Sequence, residues 1–221
     1  MAKYVTSDIH GCYDKFIQLL ELINFSEEDE LYINGDIMDR GDKPIEILDY
    51  IISHKNIHLI KGNHEKFFEE FYESGDASLW YYNGGNTTHE GIVKQPYYYA
   101  DSLYRYIRKL PYIKVVDKFI LTHAGVYFPS NYEELTIDEF IELQDEEFCL
   151  WDRSNIGNEK KFKDYTIIVG HSPVQSINNN CDDVKILHRN GTIYVDCGCV
   201  FTRANGKLGC LCLTDMKEYY V

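Results

Sequence analysis

The sequence predicts an α/β (α+β) protein, a two-sheet β-sandwich flanked by helices. Strands and helices alternate from the first residues to about Thr88, whereas the pattern after Leu110 is dominated by short strands. No Pro/Gly/Ser-rich linker separates the two halves. Two sheets packed face to face, with helices outside, bury the apolar faces of both halves. The 221 residues are taken as a single domain, 1–221, long enough to bury a substantial core without disulfides or structural metals.

The elements follow in order. Val5 lies in a strand-like run from Lys3 to Ser7, and Phe16, Leu19, Leu20 and Ile23 recur at helical spacing. Leu31 to Asn34 reads as a second strand. Pro44 suits the first position of a helix carrying Ile45, Leu48, Ile51 and Ile52. Ile57 to Lys61 is a third strand, followed by a helix marked by Phe67, Phe68, Phe71 and Tyr72. Later strands are expected at Tyr112–Val116, Phe119–Thr122, Thr166–Val169, Val184–His188, Thr192–Asp196 and Leu208–Leu213, with Thr136–Phe148 as an acidic helix. Asp117-Lys118 and Asn190-Gly191 are turn signals, the second a strong hairpin signal.

Bulk composition bounds the function. Hydrophobic residues make up 44% and charged residues 26%, ordinary for a soluble globular protein. A net charge of −14 repels polyanions, so neither nucleic acid nor an anionic membrane is an expected partner. Met1 to His10 has no apolar run after Lys3, so it is not a signal peptide. No stretch approaches the ~20 apolar residues of a membrane span, and a cytoplasmic location is the expectation. Of seven cysteines, Cys197/Cys199 and Cys210/Cys212 form C-x-C pairs. These read better as small buried apolar residues than as a zinc–thiolate site, which favours C-x2-C spacing.

The chemistry-bearing residues cluster just after predicted strands, where ligand sites collect in sheets with helical crossovers. Asp8 and His10 lie in SDIHG. Asp36, Asp39 and Arg40 lie in GDIMDRG, and Asn63 and His64 in KGNHE. His123 lies in THAG and His171 in VGHSP. Carboxylate, imidazole and amide together suit borderline ions such as Mn²⁺, Fe²⁺ or Zn²⁺, and suit oxygen-ligated Mg²⁺ or Ca²⁺ less. Asp36 is the natural bridging carboxylate of a two-metal site. Asp8 and His10 would complete one ion, and Asn63, His123 and His171 the other. A water bridging two such ions loses a proton near neutral pH and becomes a nucleophile. With Arg40 and Arg153 added, formal charges leave about +3 facing a phosphate, and guanidinium forks match phosphate oxygens. His64, not needed as a ligand, is the candidate general acid, oriented by Asp39. His54, His58, His89 and His188 are read as structural or exposed.

GDIMDRG, KGNHE, THAG and VGHSP resemble the signature of calcineurin-like metallophosphoesterases. The DRG ending is similar to the serine/threonine phosphoprotein phosphatase branch, and the short chain to its bacterial and phage lambda type. The likeness runs from Lys3 to about Leu213 and includes WYYNGG, LWDRS and IYVDCG. It implies a helix-flanked β-sandwich. It implies Asp8, His10, Asp36, Asn63, His123 and His171 as metal ligands, and His64 as general acid paired with Asp39. It also implies Arg40 and Arg153 on the phosphate and Mn²⁺ as a usual activating ion. SDIHG departs from the commoner GDIHG, and Asp152 stands where the phage-type pattern often has Asn. The closing Gly170-His171-Ser172-Pro173 lacks the second His of the G-H-x-H that ends broad-specificity phosphodiesterases, which favours the monoesterase branch.

The leading expectation is therefore a serine/threonine protein phosphatase acting on a phosphorylated protein or a small phosphoester. The alternative is a symmetrical dinucleoside tetraphosphate hydrolase, for which Trp80–Tyr82 and Tyr97–Tyr99 could stack bases, although packing is the better reading of both segments. A non-catalytic metal- or phosphate-binding module would be expected to have lost a ligand or the acid, and none is missing.

Overall fold

The computed structural model describes residues 1–221. The first sheet has the order β10-β9-β1-β2-β3. Its strands are β1 (Lys3–Thr6), β2 (Glu30–Asn34), β3 (Ile57–Ile60), β9 (Gly209–Cys212) and β10 (Glu218–Tyr220). β1, β2 and β3 are parallel, joined by α1 (Tyr13–Leu22) and α2 (Pro44–Ser53), and β9 runs antiparallel between β1 and β10. The second sheet has the order β4-β5-β6-β8-β7. Its strands are β4 (Ile113–Val116), β5 (Phe119–Thr122), β6 (Thr166–Val169), β7 (Leu187–Arg189) and β8 (Thr192–Tyr194). Asp117-Lys118 and Asn190-Gly191 turn its two hairpins, with Asp117 at φ 52° and Gly191 at φ 82°.

The period of two along a strand divides the core. In β1, Tyr4 faces the helices and Val5 faces the other sheet; in β2, Leu31 and Ile33 oppose Tyr32; in β9, Cys210 and Cys212 oppose Leu211. Val5, Tyr32, Ile60 and Leu211 therefore share one apolar cluster with Ile120, Ile168 and Val195 of the second half, the filling of the sandwich. The opposite face of the first sheet packs on α1, α2, α3 (Asn63–Ser74) and α6 (Tyr99–Ile107). All seven cysteines are free, and both C-x-C pairs are buried among core side chains, as small apolar residues would be. No helix is long and apolar enough to cross a membrane.

Several local expectations are corrected. Thr136–Phe148 is two short helices, α7 (Ile137–Glu142) and α8 (Glu146–Trp151). Each has its own N-cap: Thr136 accepts from Glu139 N, and Asp145 accepts from Phe148 N at 2.8 Å. The predicted Val184–His188 strand is shifted to Leu187–Arg189, although Val184 and Ile186 remain buried. Four helices were not anticipated: α4 (Ser78–Tyr82), α5 (Asn86–Val93), α6 and α9 (Val174–Asn178), although α6 carries Leu103 and Ile107 at helical spacing on its buried face. The three-residue β10 was also missed; it is too short to show alternation.

Leu211 is fully buried at the centre of the sandwich filling. Leu211→Ala should destabilise the fold by about 2–5 kcal/mol, read as a lower denaturant midpoint at unchanged slope. A loss below ~1 kcal/mol would contradict this packing.

Candidate metallophosphoesterase centre

Five loops at strand ends meet along the seam between the sheets. Those after β1, β2 and β3 bring Asp8 and His10, then Asp36, Asp39 and Arg40, then Asn63 and His64; those after β5 and β6 bring His123 and His171. Buried Asn34 ties the seam by donating from Nδ2 to Ile168 O at 2.8 Å. Asp8, His10, Asp36, Asp39, Arg40 and His171 all have φ between 47° and 69°. Six non-glycine residues in the left-handed region at one place mark a locally strained backbone, held by its surroundings. Gly62 and Gly170 allow the loops to close, since a Cβ at either would collide with Asp36 Oδ1 or Asp8 Oδ2.

The polar atoms converge closely. Asn63 Oδ1 lies 2.7 Å from His123 Nε2 and 2.9 Å from His171 Nδ1. Asp36 Oδ2 lies 3.4 Å from His123 Nε2 and, on its other side, 3.7 Å from His10 Nε2. Two tight donor groups result, His10–Asp36–His64 and Asp36–His123–His171, and Asp36 belongs to both. Asp8 sits at the margin, 4.0 Å from His10 Nε2, and accepts the His171 amide at 3.0 Å.

Backbone carbonyls set the ring orientations. A carbonyl only accepts, so the contacts of His10 Nδ1 with Met38 O (3.0 Å) and of His123 Nδ1 with Asn34 O (2.7 Å) place a proton on each Nδ1. Each Nε2 is thereby turned toward the centre, the orientation that a carbonyl hydrogen-bonded to the far ring nitrogen imposes on a metal-binding histidine. Burial, then neighbouring His64 and Arg40, holds His10 well below its ordinary 6.5. Burial and His123 push His171 down to about 2. Both are the neutral form that donates a lone pair. Burial also opposes charge on His123, but Asp36 and Asp8 outweigh it and push it up to about 10. Two buried carboxylates thus draw a positive charge into the space between them. That charge balance and the mixed oxygen and nitrogen donors fit divalent first-row ions.

His64 is fully buried and its Nδ1 donates to Asp39 Oδ2 at 2.7 Å. Burial works against its imidazolium, yet Asp36 and the Asp39 hydrogen bond prevail, so its pKa is raised above 6.5. Arg40 donates to His10 Nε2 at 2.6 Å and to His64 Nε2 at 2.9 Å, which puts its guanidinium at the centre of the site. Arg153 stands at the rim, with Nε donating to Ser172 Oγ at 3.2 Å. Asp152 accepts from Ser154 N and Asn155 Nδ2 and does not neutralise Arg153.

Sequence reasoning missed the supporting residues. Trp80 Nε1 and Thr88 Oγ1 also donate to the Asp39 carboxylate, at 2.8 and 2.6 Å. Trp80 is therefore a buried support for the His64–Asp39 pair and no base-stacking surface, whereas Tyr82 and Tyr97 are almost fully exposed. His89 packs beside Trp80 and Phe71 as a structural residue. Glu65 accepts from the amides of Asp36, Ile37 and Gly62 at 2.8–3.0 Å and so ties two site loops together. The glycine followed three residues later by glutamate in KGNHE was its readable signal. Asp196 is buried beside Asp8; burial, then Asp8, raises its pKa. Trp80 and Asp196 lie in WYYNGG and IYVDCG, segments of the family likeness that assigned neither residue a role, and no local pattern pointed to Thr88.

A two-sheet sandwich whose seam gathers carboxylate, imidazole and amide donors beside two arginines defines the metal-dependent phosphoesterase class. The chain belongs to the calcineurin-like phosphoesterase family, whose family model matches residues 1–198. It is 31% identical over 131 residues to a symmetrical bis(5'-nucleosyl)-tetraphosphatase of Buchnera aphidicola, covering 58% of this chain and 45% of that one. It is also 31% identical over 135 residues to serine/threonine-protein phosphatase 2 of Salmonella typhimurium, covering 59% and 61%. The matched regions thus span less than two thirds of these relatives. Among solved structures, a cold-active protein-tyrosine phosphatase of Shewanella superposes with TM-score 0.64 and 19% identity over 99% of this chain and 80% of that one. A yeast protein serine/threonine phosphatase gives TM-score 0.64 and 15% identity over 97% and 73%.

Trp80→Phe keeps a ring in place and deletes one donor to buried Asp39. It should cost about 1–3 kcal/mol of stability, measured by chemical denaturation. An unchanged midpoint would mean that Asp39 does not depend on the indole.

Proposed function

We propose that residues 1–221 act as one domain that hydrolyses phosphate monoesters, with phosphoserine or phosphothreonine in a protein as the leading substrate. The observation that carries this reading is Asp36, buried between two donor groups and shared by both. Asp8, His10 and Asp36 would hold one divalent ion, and Asp36, Asn63, His123 and His171 a second, with Mn²⁺ the first candidate and Fe or Zn the alternatives. Bound there, such ions supply Lewis acidity toward phosphate oxygens and lower the pKa of a coordinated water toward neutrality.

The chain's own residues do the rest. Arg40 and Arg153 bind the phosphate; neither has a carboxylate partner to give up. A phosphate that takes the Arg40 N–H groups frees His64 Nε2, which can then hold a proton for the leaving oxygen. Asp39, fixed by Trp80 and Thr88, keeps Nδ1–H of His64 in place so that Nε2 faces the ester. The second reading, hydrolysis of a symmetrical dinucleoside tetraphosphate, is favoured by the name of the Buchnera relative.

Asp36→Asn should abolish hydrolysis of para-nitrophenyl phosphate and lower the bound metal per chain; wild-type rate and metal content would remove Asp36 from the centre. His64→Asn should retain metal and lose about 10²–10⁴-fold in rate on a phosphoserine peptide. The loss should be smaller on para-nitrophenyl phosphate, whose phenolate needs no proton. Because the His64 pKa is raised, its acid form persists above pH 6.5 and is lost as the pH rises through the shifted value. The alkaline limb of the peptide rate should therefore lie above 6.5 and vanish in His64→Asn. Equal losses on both esters with the limb intact would exclude His64 as the acid.

A further inference from the structure

Beside the metallophosphoesterase centre lies a groove of about 920 Å³ between α9 and the turn at 200–204. This volume is within the range of small-molecule sites. The groove adjoins the centre on two sides. Pro173 on its wall follows His171 and Ser172 in the chain. Phe201, also on its wall, has its ring 5.7 Å from the Arg40 guanidinium carbon, and Arg40 reaches His10 and His64.

The wall is chemically unlike the rest of the molecule. The chain has 36 acidic residues against 22 lysines and arginines, yet the groove is lined by no carboxylate and by one cation, Arg203. Arg203 makes no ion pair and no side-chain hydrogen bond. Next to it, Phe201 leaves 42% of its surface exposed. The turn that displays both is braced from within. Buried Gln175 donates to Cys197 O at 3.0 Å and Ala204 O at 3.4 Å, and Lys15 donates to Cys199 O and Gly206 O at 2.9 and 3.0 Å. A rigid loop presenting an aromatic face and a free guanidinium is preorganised for a ligand with a flat ring and a second negative charge.

We propose that this groove is the leaving-group subsite and that Phe201 and Arg203 select a nucleoside polyphosphate, with the base against Phe201 and a non-scissile phosphate on Arg203. The assignment rests on the hydrolase reading of the Asp36 centre and, within it, favours the second reading, the dinucleoside tetraphosphate, over the leading phosphoprotein one. For a dinucleoside tetraphosphate, water forms the new P–O bond at the scissile phosphorus. The bridging P–O bond breaks, and the departing oxygen leaves with the bonding electrons as part of a nucleoside diphosphate. One water is consumed, and two nucleoside diphosphates result. A peptide leaving group supplies no second phosphate for Arg203.

The test compares inhibition by ADP and by inorganic phosphate in the Mn²⁺-loaded full chain, with Arg203→Gln and Phe201→Leu. Each variant should weaken ADP inhibition roughly ten-fold and leave phosphate inhibition within about two-fold, the latter also showing that the centre remains folded. ADP inhibition unchanged in both variants, or falling in step with phosphate inhibition, overturns the subsite. So does a phosphoserine peptide whose KM rises in Arg203→Gln while ADP inhibition stands still, because the groove would then hold peptide. If the wild type hydrolyses no ester, the hydrolase reading fails on its own, and calorimetry with ADP still decides the groove. Binding weakened ten-fold by Arg203→Gln keeps it, and unchanged binding removes it.

Discussion

A carboxylate buried without a counter-charge is among the most costly groups a fold can contain. Asp36 is 2% exposed and escapes that cost through its surroundings: it is ringed by the imidazoles of His10, His64, His123 and His171, and Asp36 itself holds His123 and His64 toward their charged forms. The surroundings are organised by that cost. Its Oδ1 is taken by the His64 amide, while Oδ2 is left facing the nitrogens of its neighbours. Asp8 adds a second buried negative charge and Arg40 a compensating positive one. The strained loops hold these groups together because each is tied down at its base: Glu65 by three amides, Asp8 by the His171 amide, and Asn34 across the seam.

Much of this was legible in the sequence, for a local reason. Ligand-type residues lay directly after strands, so the motifs and the ends of a sheet could be read together. The parallel first half was legible because its helices are long enough to show periodicity and its strands have β-branched runs. The second half was harder. The three-residue β7 and β10 carry little alternation, and the five-residue α9 is too short for a helical stripe, whereas β4, β5 and β6 lie where their apolar runs placed them. The acidic 136–148 segment looked continuous because composition does not reveal that Asp145 caps a new helix. Within the site, every anticipated side chain is brought to the same seam. The supporting residues were hidden because Trp80 and Thr88 act on Asp39 from more than forty positions away, through contacts that only the packed α4–α5 region creates.

The tyrosines divide along the same line. Trp80 was grouped with exposed neighbours by sequence proximity, but the fold turns it inward and leaves Tyr82 in solvent. Aromatic content near an active-site motif is thus no guide to its use until burial is known. The cysteines were read as buried apolar residues because C-x-C spacing does not favour zinc, and the alternation of β9 places Cys210 and Cys212 on the helix side of the sheet with Leu211 between them facing the other way.

The position of β9 also has a consequence for how the molecule assembles. Val5 pairs with Leu211, so the strand that opens the chain is completed by one that leaves the ribosome some two hundred residues later. Until then β1 presents an unpaired edge, the kind of surface that seeks other strands. Contacts this distant in sequence are slow to form. The centre likewise draws on residues from Asp8 to His171, so its two donor groups close only when both halves of the chain are present. A chain cut short of the second sheet would carry the first three motifs on a half-built sheet, with Asp8 and Asp36 in place but without His123, the imidazole whose charge they stabilise.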